Sequence, residues 1–130
     1  MVTTTLVEAN VKLGEEVYDA IKRDATLGVR AALWWYDVDA SEWRYMVAAE
    51  DCARRGPRAA YLRVRNLLKR ANLLDRLPLA KVVVVRPDDR TLATIKKMFD
   101  FSKTPRPMHF ALENITIPGL HIEGAFLYDA

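Results

Sequence analysis

The sequence predicts an α+β (mixed α/β) domain in the order α-β-β-α-β-α-β-β, three helices on a mixed sheet of about five strands. Three observations carry that prediction. Two almost continuously apolar segments, Val29–Asp37 and residues 43–49, flank the turn-forming stretch Val38-Asp39-Ala40-Ser41-Glu42. Four consecutive valines, residues 82–85, stand between turn signals. Stretches with apolar residues at helical spacing precede or separate these runs.

Taken in order, Thr5-Leu-Val-Glu8 has capping-box spacing, and Leu13, Val17, Ala20 and Ile21 fall on one helical stripe. This predicts a first helix over about residues 6–25, weakened by Gly14 and ended by Leu27-Gly28. The two apolar segments then read as an antiparallel hairpin covered on both faces, because they lack clean alternation. Arg55-Gly56-Pro57 opens a second helix, predicted over residues 57–76, with Ala60, Val64, Leu67, Leu68 and Ala71 facing inward. Residues 81–86 read as a central strand buried on both sides. Pro87-Asp88-Asp89 caps a third helix whose Leu92, Ile95 and Phe99 face inward. After a loop over residues 101–107, Met108, Phe110 and Leu112 alternate with polar neighbours. A second run, residues 120–128, follows Pro118-Gly119.

At 130 residues the chain is sized for one domain. Hydrophobic residues make up 51% and charged residues 28%, which excludes a disordered or fibrous chain. Cys52 is the one cysteine, so no disulfide scaffold forms within a monomer, and a reducing compartment is expected. The first residues show neither a basic leader nor a long apolar stretch, and no run approaches a membrane span, so a cytoplasmic protein without membrane attachment is the expectation. The net charge of +3 is uneven. Residues 1–53 hold 5 Lys/Arg against 10 Asp/Glu, residues 54–106 hold 15 against 4, and residues 107–130 hold none against 3. Within one domain these blocks should partly neutralise one another, leaving any surplus on the middle block as a basic patch.

The sequence contains no glycine-rich phosphate loop, no paired-cysteine motif, no H-E-x-x-H and no nucleophile-elbow motif, and no cofactor is expected. Three groups of residues remain as candidates. On the predicted second helix Arg58, Arg65, Lys69 and Arg76 cluster within about 40° of one another at 100° per residue. Such a ridge can engage phosphates, although a solvated helix face, or one paired to the acidic first block, uses the same residues. Asp37, Asp39 and Glu42 in the hairpin turn could hold Mg²⁺ or Ca²⁺, but they lack the spacing of a calcium loop and suit Asx turns equally well. His121 and Glu123 share a strand face, and Glu113 is expected opposite if the turn centres near Pro118, giving a histidine between carboxylates. A surface cross-strand pair accounts for the same residues, and His109 lies too far back to join them. Arg54 and Arg55 near Cys52 could lower its thiol pKa, against the commoner buried and inert thiol. Trp34 and Trp35 must point to opposite faces, so one requires a second layer from the chain's own helix or from another subunit.

Three stretches together resemble a set of small bacterial proteins of unassigned function. They are Gly28-Val-Arg-Ala-Ala-Leu-Trp-Trp-Tyr36 with Glu42-Trp-Arg44, Gly56-Pro-Arg-Ala-Ala-Tyr61, and Ile117-Pro-Gly-Leu-His-Ile-Glu-Gly-Ala-Phe-Leu-Tyr128. The resemblance implies a bacterial cytoplasmic origin and carries over no catalytic residue. The leading functional expectation is therefore a non-enzymatic interaction or accessory domain that self-associates as a homo-oligomer. Nucleic-acid binding through the basic helix is the alternative. Metal-assisted hydrolysis through Asp37, Asp39 and Glu42, or through the His121 hairpin, is the third.

Overall fold

The computed structural model describes residues 6–130. Its elements are α1 (Glu8–Ile21), β1 (Val29–Asp37), β2 (Glu42–Ala49), α2 (Glu50–Arg55), α3 (Pro57–Arg70), β3 (Val82–Val85), α4 (Arg90–Met98), β4 (Phe110–Ile117) and β5 (Leu120–Asp129). Among the described residues that is one α-helix more than the sequence predicts, because residues 50–55 turn helical directly after β2. Gly56, at φ +91°, then separates α2 from α3 in a conformation that other residues adopt only under strain.

The strands form one mixed sheet in the order β3-β2-β1-β5-β4. The β1–β2 hairpin pairs Asp37 with Glu42, the β4–β5 hairpin pairs Ile117 with Leu120, and β1 joins the two hairpins by pairing antiparallel with β5. Only β2 and β3 run parallel, as the intervening α2 and α3 crossover requires. Alternation along β1 divides the interior. Ala32 and Trp34 pack beneath α1 and α3 with Leu13, Val17, Val64 and Leu68, whereas Ala31 and Leu33 pack beneath α4 with Leu92, Ile95, Phe101 and Met108. Both faces of the hairpin are thus covered. Trp34 is 3% exposed, and the half-buried Trp35 meets the α4 layer of its own chain, so no second subunit is needed to cover it.

Three expectations are corrected. The valine strand is not central: β3 lies at the sheet edge and pairs only with β2. Its hydrophobicity reflects cover from the helical layers, since Val82 and Val84 pack under α3 and Val85 against the α4 side. The outer edge is closed locally, with the Val84 N–H donating to the Tyr61 hydroxyl at 3.0 Å and the Val82 N–H to the Leu79 carbonyl. The second predicted helix ends at Arg70, not at residue 76, because Asn72 turns left-handed at φ 58°. α1 ends at Ile21 and starts after Val7, which supplies no side-chain cap; Thr5, the expected cap, lies outside the described residues. Gly14 is also more than a weak point in that helix. A Cβ there would lie 2.3 Å from the Tyr128 hydroxyl and 2.6 Å from Trp34 Nε1, so the glycine is what lets α1 approach the sheet.

Candidate functional site

The helical periodicity of α3 turns Ala60, Val64 and Leu68 into the interior and leaves Arg58, Arg65 and Lys69 exposed. Among the described residues none of these three has a carboxylate within the 4.0 Å of an ion pair. Other cations of the basic block are occupied. Arg63 donates to both carboxylate oxygens of Asp24, with Nε–Oδ1 at 3.1 Å, and this bonding holds the Asp24 carboxyl below its ordinary value. Arg55 binds the buried Asp51 at 2.6 and 2.8 Å, and Arg54 donates to the Thr26 carbonyl at 2.9 Å. Arg76, beyond the helix end, lies 2.7 Å from Glu16 of α1 and drops out of the ridge. The acidic first block thus neutralises part of the basic block and leaves the outward side of α3 bare.

Leu62 sits four residues after Arg58 and three before Arg65, on the same side of the helix, and is 48% exposed. Sequence reading by charge alone passes over it, although an apolar residue on the polar side of an amphipathic helix is a readable signal. At the foot of the ridge, Arg65, Lys69, Asn72, Leu74 and Asp75 line a concavity of about 270 Å³. The side therefore offers cations around one apolar contact and a shallow recess.

The acidic turn already holds a cation of its own. The Arg44 guanidinium lies 3.0 Å from Asp37 and 3.1 Å from Glu42. Its buried Nε is close enough to Asp37 for Coulomb attraction but too poorly aimed for a hydrogen bond. Asp37 also accepts from the Ala40 N–H at 3.2 Å, the Asx geometry of a turn, while Asp39 points to solvent. No three of these carboxylates face one centre.

On the terminal hairpin the expected neighbour of His121 is replaced. The turn at Pro118-Gly119 sets Thr116 opposite His121 and Glu113 opposite Gly124. His121 Nδ1 lies 2.6 Å from the Thr116 hydroxyl and Nε2 lies 3.0 Å from Glu123. Hydroxyl, imidazole and carboxylate in line have the order of an acyl-transfer relay, but Thr116 and His121 are exposed to solvent. His109 stands apart, 3.3 Å from Glu15 and beside Phe126 and Tyr128. Among the described residues no group of three His, Cys, Asp or Glu side chains is placed to hold a metal ion.

Cys52 is buried, and burial pushes its thiol pKa up; the cation acting on it is Arg86, rather than Arg54 or Arg55. It borders an open concavity of about 470 Å³ at the end of β3, shared with Gly56, Pro57, Val84, Arg86 and Asp88. The Arg86 and Asp88 side chains there are bonded to each other at 3.0 Å. Among the described residues no helix is long and apolar enough to cross a membrane. Comparison with protein-family models, curated proteins and solved structures finds no match.

Proposed function

We propose that this chain is a non-catalytic interaction domain that docks an acidic partner on the outward side of α3. The observation that carries the reading is the cation set Arg58, Arg65 and Lys69, with no carboxylate at ion-pair distance among the described residues and grouped around exposed Leu62. An apolar contact ringed by charge suits a protein partner: the apolar centre supplies burial, and the charges supply orientation and encounter rate. Titration of the protein into fluorescein-labelled polyglutamate tests it. Saturable binding at low salt is expected, weakened at least about tenfold by Arg65→Glu with Lys69→Glu, a loss of ~1.4 kcal/mol. Absence of binding at low salt, or equal binding by the doubly substituted protein, overturns the reading.

A second reading, nucleic-acid binding, draws support from the spread of Arg58, Arg65 and Lys69 over about 16 Å of helix axis. Each phosphate they neutralise would release counterions and give a salt-dependent affinity. The aromatic residue of α3, Tyr61, is half-buried and its hydroxyl accepts from the Val84 N–H, so it is tied to the sheet edge rather than offered to a stacking base. Single- and double-stranded oligonucleotides run beside polyglutamate decide between the two. Tighter binding to an oligonucleotide, lost with Arg65→Glu and Lys69→Glu, favours this second reading. Self-association and a bacterial cytoplasmic setting belong to the same proposal, supported by the lone buried thiol and by the resemblance carried on residues 28–128.

A further inference from the structure

We propose that the acidic partner of α3 is a second copy of this chain, which α3 meets on the strip of sheet formed by β4 and the start of β5. This names the partner for the α3 reading above and rests on it. The helical layer of α1 and α3 packs on β3, β2, β1 and β5, and Glu15 of α1 meets His109 just ahead of β4. Leu112 and Ile122 pack beneath α4, so their neighbours Ala111, Glu113, His121 and Glu123 face the opposite side of the sheet, where Ala111, Glu113 and His121 are exposed. Glu113 is exposed and, among the described residues, has no cation within ion-pair distance; Glu123 has only His121. Residues 107–130 contain no Lys or Arg at all.

α3 presents the inverse of that strip, unpaired cations around an exposed leucine. Laying an amphipathic helix on a bare sheet face is how α1 and α3 already pack within the chain. Charge complementarity selects the pairing. Geometry makes it intermolecular: α3 packs at the β3 edge, whereas the strip is at the β4 edge, on the far side of β2, β1 and β5 and about 19 Å away at the usual strand spacing. Two different surfaces meet, so the contact is head-to-tail and propagates into an open chain or a closed ring rather than stopping at a two-fold dimer.

Sedimentation velocity of the full chain at rising concentration, at low and high salt, tests this. Wild-type protein is expected to form species beyond the dimer at low salt and to dissociate as salt screens the charges. Arg65→Ala with Lys69→Ala, and separately Glu113→Ala with Glu123→Ala, should each give monomers. Mixed together, the two variants should form a one-to-one heterodimer, because one retains the acidic strip and the other retains the basic α3. That heterodimer also shows both variants to be folded. A wild-type protein that stays monomeric at low salt overturns the inference, as does a mixture that stays monomeric. If the wild type is monomeric yet still binds polyglutamate, only the choice of partner falls; if it does neither, the α3 reading falls with it.

Discussion

The two faces of the sheet are packed by different physics. Beneath α1, three aromatic side chains end in polar atoms that reach helix carbonyls: Tyr45 to Gly14 at 2.8 Å, Tyr128 to Val11 at 2.6 Å and Trp34 to Asn10 at 2.9 Å. Beneath α4 the cluster is aliphatic, methionine and aromatic, with Leu92 and Ile95 fully buried and Phe99, Phe101 and Phe110 packed at 5.0 to 5.9 Å between ring centres. Hydrogen bonds are directional, so the first face fixes the axial position and rotation of α1 against the sheet. The α4 face fixes its helix by shape and by the Asp89 cap, whose side chain accepts from the Leu92 N–H. One face is specified by bonding and the other by volume.

The sharpest test of that contrast removes volume where only volume acts. Ile95→Ala empties a fully buried position in the apolar cluster of the α4 face. The expected loss is about 2–5 kcal/mol, read as a lowered midpoint in urea with unchanged slope. A loss below ~1 kcal/mol would mean that this face collapses around the gap and is not held by shape.

Adding volume breaks the other face. Gly14→Ala places a methyl group against the Tyr128 hydroxyl and Trp34 Nε1, the atoms that anchor α1. In a helix the exchange would normally gain stability. Here a loss of about 1–3 kcal/mol is expected, with altered tryptophan emission as the indole shifts. Thermal melts that show a gain would contradict the close approach of α1.

How much of this was legible depends on whether the physics is local. The β1–β2 hairpin and the Asp89 cap follow from short stretches of sequence, and both stand where periodicity and turn chemistry put them. The position of β3 does not, because helical cover on two faces makes an edge strand as apolar as a central one. Arg76 was misplaced for a local reason that was available: Asn72 is a residue that readily turns left-handed and ends a helix. Thr116 was legible too, since a two-residue turn at Pro118-Gly119 pairs 117 with 120 and therefore 116 with 121. Arg44 required the tertiary arrangement, because only the paired strands bring its guanidinium back over Asp37 and Glu42. Gly14 could not be read at all from its own helix, as its partners are 20 and 114 residues away in sequence.

The smallest effect separates the faces by pH. Tyr45→Phe removes one hydrogen bond but leaves the Gly14 carbonyl inside α1, where the helix ladder still supplies a donor, so only about 1 kcal/mol is lost near neutral pH. Burial pushes the Tyr45 phenol well above its ordinary 10.0 and the Tyr18 phenol up to about 12, and Tyr128 moves in the same direction. Above pH 10 the unfolded chain releases phenolic protons that the folded chain retains, so wild-type stability falls as pH rises, at up to ~1.4 kcal/mol per pH unit for each such phenol. The Tyr45→Phe protein lacks one of these groups and should decline less steeply. Urea midpoints of the two proteins, apart at pH 7, should therefore converge between pH 10 and 12. Parallel curves would show that Tyr45 ionises as freely in the folded protein as in the unfolded one, which its burial between α1 and the sheet does not allow.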